Sequence, residues 1–245
     1  MGDVVEMTSE LGFKYSILAS GSTGNSFYLE TPEKKILVDA GLSGKKITSL
    51  LAEIDRDPSD LDAILVTHEH KDHIHGVGVL ARKYGMDIYA NEKTWQIMDS
   101  KNMLGKVDNS QKHIFSRGKL LTFGDIDIES FGVSHDAIDP QFYRFMKDGK
   151  SFVMLTDTGY VSDRMAGLIE NADGLCNEDG ADAMIRTIGN KTKKIYLGHL
   201  SKENNIKELA YMTMENQLAR ADFGVGTDFK IFGTSPDTAT PLTDI

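Results

Sequence analysis

The chain has 245 residues and a formal net charge of −10 at pH 7, with 40% hydrophobic and 26% charged residues. This composition is ordinary for a globular protein with a buried core, and the negative charge argues against binding polyanions through the overall field. It does not exclude a nucleic-acid substrate, because bound divalent cations and a local basic patch could offset it. The single cysteine, Cys176, excludes an internal disulfide framework and predicts a reducing, cytoplasmic compartment. No apolar stretch reaches the length of a membrane span, so we expect no membrane partner.

Strand patterning begins at Phe13, after a mildly acidic leader that lacks the basic start and apolar core of a signal peptide. No linker rich in Pro, Gly or Ser divides the remaining chain. We therefore expect residues 1–12 to be a flexible leader, 13–234 to form a single domain and 235–245 to be a C-terminal tail.

The first two predicted strands, Lys14–Ala19 and Ser26–Glu30, flank a glycine-rich polar loop. The loop is either a simple hairpin connection or a place where backbone N–H groups approach an anionic ligand. On the second hypothesis, the candidate substrate-binding residues are Ser20, Gly21, Ser22, Thr23, Gly24 and Asn25. A third strand, Lys35–Asp39, ends in a carboxylate that could orient a metal ligand through a hydrogen bond or cap the following turn.

Ten residues from Thr67 to Gly76 contain four of the seven histidines. They follow the apolar run 62–66 and precede a predicted helix over Val77–Tyr84 that ends at Gly85, so they lie at a strand end and in the turn into a helix. The alternative is a solvated turn that happens to be rich in histidine. His-x-His-x-Asp-His is a demanding coincidence outside a metal site, and the pattern therefore predicts one. It leaves open whether His75 contacts substrate or lies on the surface.

The rest of the chain alternates strand and helix patterns. Further strands are predicted at Asp87–Ala90, Lys119–Phe123, Ile126–Val133, Gln141–Met146, Ser151–Thr156, Lys194–Leu197 and Phe229–Phe232. Further helices are predicted at Ser43–Ile54, Asn91–Ser100, Val161–Glu170, Gly180–Ile188 and Asn204–Ala221. Strand-rich and helical stretches without a dividing linker predict an α/β domain of two stacked sheets with helices outside.

Polar side chains at successive strand ends can converge at one edge of such a sandwich. We expect one ion between His68, His70 and His135, a second between Asp72, His73 and His199, and Asp157 between the two. Two ions roughly 3.5–4 Å apart hold a hydroxide between them and neutralise a phosphorane-like transition state. On this scheme Asp72, Asp157 and His199 are the candidate catalytic residues, and Asp39 supports a ligand from behind.

These patterns resemble the metallo-β-lactamase superfamily, and within it the YycJ/WalJ group of bacterial proteins regarded as DNA exonucleases. The resemblance covers nearly the whole chain from Lys14 onward. It is carried by residues 18–25, 67–76, 133–137, 156–159, 177–181 and 197–205. It implies an αββα four-layer sandwich, two Mn²⁺ or Zn²⁺ ions on the seven ligands above, and hydrolysis of DNA phosphodiesters. A 5′–3′ direction is the corresponding expectation for the exonuclease.

The chain departs from this group at Leu175-Cys176. Residues 171–175 have the pattern of a strand start, but residues 176–179 already have the pattern of a helix start. This predicts almost no strand at the join. YycJ-like proteins have a longer segment here, and a real deletion would open one wall of the cleft. Two other functions stay open. The metal motif does not distinguish a nuclease from a hydrolase of small esters, thioesters or cyclic phosphodiesters, and a real deletion would suit a metal- and DNA-binding protein with impaired catalysis.

Four lysines surround His199 in the sequence: Lys191, Lys193, Lys194 and Lys202. They either hold the scissile DNA backbone beside the metals or form a solvated helix cap and strand edge. We take Lys202 as a candidate substrate contact. The sequence does not determine the oligomeric state.

Overall fold

A computed structural model describes residues 12–155, 162–170, 172–177, 188–198, 207–221 and 223–245. Within these ranges no helix combines the length and the apolar character that crossing a bilayer requires. The predicted leader falls outside them, apart from Gly12.

Two seven-stranded sheets are formed by the described residues. The first contains β1 (Lys14–Ala19), β2 (Ser26–Glu30), β3 (Lys35–Val38), β4 (Ala63–Leu65), β5 (Asp87–Ala90), β6 (Lys112–Ile114) and β14 (Thr243–Asp244), in the order β14-β1-β2-β3-β4-β5-β6. The second contains β7 (Leu120–Phe123), β8 (Ile126–Gly132), β9 (Gln141–Lys147), β10 (Lys150–Leu155), β11 (Gly174–Asn177), β12 (Lys194–Leu197) and β13 (Lys230–Gly233), in the order β13-β12-β11-β10-β9-β8-β7.

Six helices are defined in the same ranges: α1 (Gly44–Ala52), α2 (Lys71–Ile74), α3 (Val77–Tyr84), α4 (Glu92–Ser100), α5 (Asp163–Ile169) and α6 (Lys207–Arg220). Their starts follow from capping side chains that satisfy otherwise unpaired N–H groups. The Ser43 hydroxyl accepts from Lys46 N, and the Asn91 carboxamide accepts from Thr94 N. Helix α3 ends at Gly85, whose φ of 76° is left-handed.

Two apolar cores separate the layers. The first fills the space between the sheets, continues to α5 and α6 through Met165 and Leu218, and includes the stacked rings of Phe27 and Phe152, with centroids 5.1 Å apart. The second lies between the first sheet and α1, α3 and α4. Burial of these side chains away from water supplies the main favourable contribution to folding. The predicted αββα sandwich is confirmed.

The segment around Leu175-Cys176 corrects one sequence-based prediction. Residues 174–177 form β11, which pairs in parallel with β10 on one side and β12 on the other. The prediction that almost no strand survives at this join is wrong, because pairing on both sides stabilises a strand too short to show a periodic pattern.

The C-terminal residues lie along the first sheet. Thr240 exchanges backbone and side-chain hydrogen bonds with Ile17, and Ile245 N donates to Phe13 O at 2.9 Å. Strand β14 then pairs with the start of β1. The segment expected to be a tail therefore contributes an edge strand.

Candidate metal centre

The carboxyl ends of β4 and β8 meet at one edge of the sandwich. Gln141 N, at the start of β9, donates to Thr67 O at 3.1 Å, and the Tyr143 hydroxyl donates to Val66 O at 2.8 Å. Since β9 is antiparallel to β8, these bonds bring the end of β8 beside the end of β4. His68 follows β4 and His135 follows β8, so sheet contacts far apart in sequence bring the two histidines together.

Three imidazoles form a cluster at this edge. One ring nitrogen from each of His68, His70 and His135 lies within 4.8 Å of the others. His70 Nδ1 and His135 Nε2 are 3.2 Å apart, close to the separation of two nitrogen ligands on one tetrahedral ion, about 3.3 Å for bonds of about 2.05 Å. Neutral imidazole suits Zn²⁺ and other divalent transition metals, so the donor set fits the predicted first ion.

Hydrogen bonds behind the cluster fix the tautomer of His68. The Thr67 hydroxyl donates its single proton to Asp39 Oδ2 at 2.7 Å. At 2.9 Å from His68 Nδ1, the same oxygen must therefore accept, which places the proton on Nδ1. Nε2 of His68 is then the nitrogen through which the ring would bind an ion.

Asp39 is fully buried and orients two elements of the site. Its Oδ1 accepts from Thr67 N at 2.8 Å, and its Oδ2 lies 2.7 Å from His73 Nδ1. Burial raises the pKa of the Asp39 carboxyl, while His73 and the Thr67 donors oppose the rise. A left-handed backbone at Asp39, with φ of 58°, turns this side chain onto Thr67. Asp39 thus contacts the His73 ring from behind, and its role in supporting a metal ligand stays a prediction.

Asp72 and His73 form a second group beside the cluster. Asp72 Oδ2 lies 3.6 Å from His73 Nε2, and the His68 and His73 rings have centroids 4.0 Å apart. Both residues lie in α2, whose N-cap is His70. Asp157 and His199, the other predicted ligands of this group, lie outside the described residues, so their assignment stays a prediction.

The glycine-rich loop connects β1 and β2 as a hairpin and supports this second group. Asn25 is buried; its Oδ1 accepts from Gly21 N at 2.9 Å, and its Nδ2 lies 3.2 Å from His73 Nε2 and 3.5 Å from Asp72 Oδ2. Several N–H groups of the loop bond within the protein: Ser20 N to Ser235 O, Gly24 N to Gly21 O and Asn25 N to Asp72 O. Of the six loop residues expected to bind substrate, Ser22 and Thr23 are exposed. We therefore expect any substrate contact by this loop to involve these two residues.

Two carboxylates beside the cluster were not predicted as functional. Glu69 Oε1 accepts from Ile138 N at 2.9 Å, which holds the loop that carries His135. Asp136 Oδ1 lies 3.2 Å from His135 Nε2 and is 84% exposed. Adjacency to the motif histidines was the available signal, but the path of residues 133–140 determines both contacts.

Three of the four lysines considered as DNA contacts lie away from the histidine cluster. At or just before the amino end of β12 lie Lys191, Lys193 and Lys194. The edge of the sandwich that carries the histidine cluster, here called the metal edge, lies at the carboxyl end of this strand. Lys194 Nζ instead donates to the Asp244 carbonyl. Lys202 lies outside the described residues. His75 is exposed at the end of α2.

A histidine cluster at one edge of an αββα sandwich is typical of metal-dependent hydrolases, the class of protein that the sequence pattern predicts. The sequence model described as "Beta-lactamase superfamily domain" matches residues 34–214. The chain therefore belongs to the β-lactamase superfamily domain family. Among solved structures, unliganded yeast PDE1 superposes with a TM-score of 0.71 at 11% identity over 94% of this chain and 99% of that one. The metallo-β-lactamase fold protein YhfI from Bacillus subtilis gives 0.65 at 17% identity over 94% and 99%.

Two curated relatives are similar over nearly the whole chain. "Exodeoxyribonuclease WalJ" of Streptococcus pneumoniae serotype 2 is 73% identical over 97% of this chain and 100% of its own length. "Exodeoxyribonuclease YycJ" of Bacillus anthracis is 47% identical over 95% and 99%. The alignment with the first relative spans 268 positions, more than the 245 residues of this chain, so that relative contains internal residues that this chain lacks.

Proposed function

We propose that this chain is a metal-dependent exonuclease that hydrolyses phosphodiester bonds at a DNA end. The observation that carries the proposal is the cluster of His68, His70 and His135, in a chain 73% identical to a protein named an exodeoxyribonuclease. We assign two divalent ions, Mn²⁺ or Zn²⁺, the second held by Asp72 and His73 together with Asp157 and His199. The reaction takes place in the cytoplasm, which suits a DNA substrate and a chain with one cysteine.

Bound divalent ions lower the pKa of a coordinated water and neutralise charge on phosphoryl oxygens. The residues of the chain supply position and protonation state. Asp39 and Thr67 hold the ring proton of His68 away from the cluster. Glu69 anchors the loop that presents His135. Together these contacts keep the three imidazoles convergent, with one ring nitrogen of each within 4.8 Å of the others.

The test compares His135→Ala with a matched control, His113→Ala. His113 stacks on Tyr89 and lies 3.2 Å from Asp87, away from the cluster. We expect H135A to lose bound metal and at least roughly 100-fold of its hydrolytic rate, because a ligand is removed. H113A should keep both. Metal content by elemental analysis and degradation of end-labelled DNA are the measurements, and a chelator should abolish the wild-type activity.

The same assay separates the remaining alternatives. Shortening from one labelled end supports the exonuclease, and the position of the surviving label reports whether the direction is 5′–3′. Turnover of bis-p-nitrophenyl phosphate without DNA degradation favours a small-diester hydrolase. Binding of metal and DNA without turnover of either substrate favours the third alternative, a metal- and DNA-binding protein with impaired catalysis. That alternative is suggested by the internal residues that the S. pneumoniae relative has and this chain lacks.

A further inference from the structure

Arg117 lies at the metal edge, on the loop between β6 and β7. Its side chain crosses Gly132, the last residue of β8, three positions before His135. A Cβ placed on Gly132 would lie 2.5 Å from Arg117 Cδ and 2.8 Å from its Nη1. The absence of a side chain at position 132 therefore allows the arginine to lie flat against the strand that leads to a metal ligand.

The carboxylate of Asp139 holds the Arg117 guanidinium in place but does not balance all the positive charge around it. Arg117 Nη1 lies 2.9 Å from Asp139 Oδ1, and Lys93 Nζ lies 3.7 Å from Asp139 Oδ2. Two cations thus share one carboxylate. The Asn91 carboxamide fixes the Asp139 backbone by donating to its carbonyl at 2.7 Å. Arg117 is 49% exposed, so its remaining N–H donors are accessible to an anion.

A cavity of about 390 Å³ opens beside Arg117. Phe131, Val133 and Met165 give it an apolar wall, and Ser134 places it next to His135. Arg117 is the only charged side chain among the lining residues that the structure describes. Cavities of this size accept small organic ligands, and an apolar wall with one cation suits a nucleotide, which combines a flat base with a phosphate.

We propose that Arg117 binds a backbone phosphate of the DNA strand next to the scissile one, and that the attached nucleotide occupies this cavity. This inference rests on the proposed function. It assigns to Arg117 a role in holding DNA rather than in the chemistry at the metals. Planar guanidinium groups bind phosphate oxygens in pairs, and such contacts position a strand without reading its sequence.

The experiment measures DNA degradation, DNA binding and bis-p-nitrophenyl phosphate hydrolysis for Arg117→Gln in the Mn-loaded protein. We expect KM for DNA to rise about ten-fold while kcat stays close to the wild-type value. The slope of log affinity against log salt concentration should decrease in magnitude by about one. Selectivity for DNA over the small diester should fall about ten-fold. Lys150→Gln is the matched control, since it removes one positive charge at the opposite edge of the second sheet, where the side chain is 40% exposed.

Gly132→Ala supplies an independent test because its Cβ displaces the arginine. We expect G132A to weaken DNA binding as R117Q does, and the double variant to be no weaker than R117Q alone. Unchanged KM and salt slope in R117Q would overturn the inference, as would equal losses on DNA and on the small diester. If the wild type degrades no DNA at all, the proposed function fails instead, which is a different result.

Discussion

Asp39 controls the orientation of several site residues from one buried position. Its two oxygens accept from the backbone and hydroxyl of Thr67 and lie beside the His73 ring. An anion behind a ligand histidine fixes the ring and raises its basicity. The chain tolerates a left-handed residue here because this network fixes the backbone, and Asp and Asn are the non-glycine residues that adopt that conformation most readily.

Asp39→Asn tests this role at the residue scale. Asn retains the left-handed backbone, but its NH₂ group must face donors from Thr67 or His73 and it carries no charge. We expect metal affinity to fall about 10–100-fold with the fold retained. Chelator competition measures the affinity, and circular dichroism checks the fold. Asp60→Asn, in an exposed pair with Lys35, should bind metal like the wild type. Equal affinity in D39N would contradict the assigned role.

Local spacing predicted much of the site at this scale. His68, His70 and His135 were recognisable because each follows or ends a strand, and strand ends converge in a layered α/β fold. The role of Glu69 cannot be predicted from spacing, because its bond to Ile138 N depends on the path of a loop that no periodic pattern specifies. Asp157 and His199 remain predictions.

At the scale of elements, the turn after β3 packs directly against the start of α2. Gly41 N donates to Asn25 O at 2.9 Å, and Asn25 N donates to Asp72 O at 2.8 Å. A Cβ on Gly41 would lie only 1.6 Å from the Asp72 carbonyl oxygen. Close approach of two backbone segments therefore positions α2 and, with it, Asp72 and His73.

Gly41→Ala should destabilise the protein by about 3 kcal/mol or more, because the clash is with backbone and cannot be relieved by a side-chain rotation. Gly85→Ala is the control: its φ of 76° is strained for alanine but its Cβ would meet nothing within 4 Å. We expect that control to cost only about 1–2 kcal/mol. Denaturant unfolding measures both. Metal affinity should fall in G41A alone; equal affinity in the two variants would exclude a role for this packing in placing Asp72.

Strand β11 and the position of Lys194 show what the sequence pattern of a single element does not predict: pairing with neighbouring strands and position in the sheet. β11 exists because β10 and β12 flank it, and that pairing is invisible in residues 174–177 alone. Lys194 is close to His199 in sequence, but the strand between them is extended. Three steps of about 3.3 Å each place Lys194 and Leu197, the two ends of β12, about 10 Å apart, at opposite edges of the sheet.

For the whole molecule, stability depends on a partly buried ion pair on the first sheet. Glu30, at the end of β2, accepts from Arg56 Nε and Nη2, both at 2.6 Å, and from the Tyr28 hydroxyl at 2.7 Å. Burial by itself raises the pKa of the Glu30 carboxyl. The hydrogen bonds from Arg56 and Tyr28 outweigh that effect and hold the pKa below its ordinary value of 4.5.

This shift determines how stability varies with pH. A carboxyl with a lowered folded-state pKa stabilises the protein fully above pH 4.5, and that contribution is lost as the pH falls through the folded-state pKa. Arg56→Gln removes the cation and leaves a carboxylate whose side chain is only 10% exposed. We expect a loss of about 3 kcal/mol in the free energy of unfolding at pH 7.

The difference between Arg56→Gln and the wild type should narrow in acid. Without Arg56, burial raises the pKa of Glu30, so the variant takes up a proton at a higher pH than the wild type and is relieved of its buried charge. Denaturant unfolding from pH 7 to below pH 4.5 measures both proteins. Asp60→Asn, which breaks an exposed pair with Lys35 and leaves the cations around Glu30 in place, should cost under about 1 kcal/mol at pH 7. A constant difference between R56Q and the wild type across this range would show that the charge of Glu30 does not cause the loss.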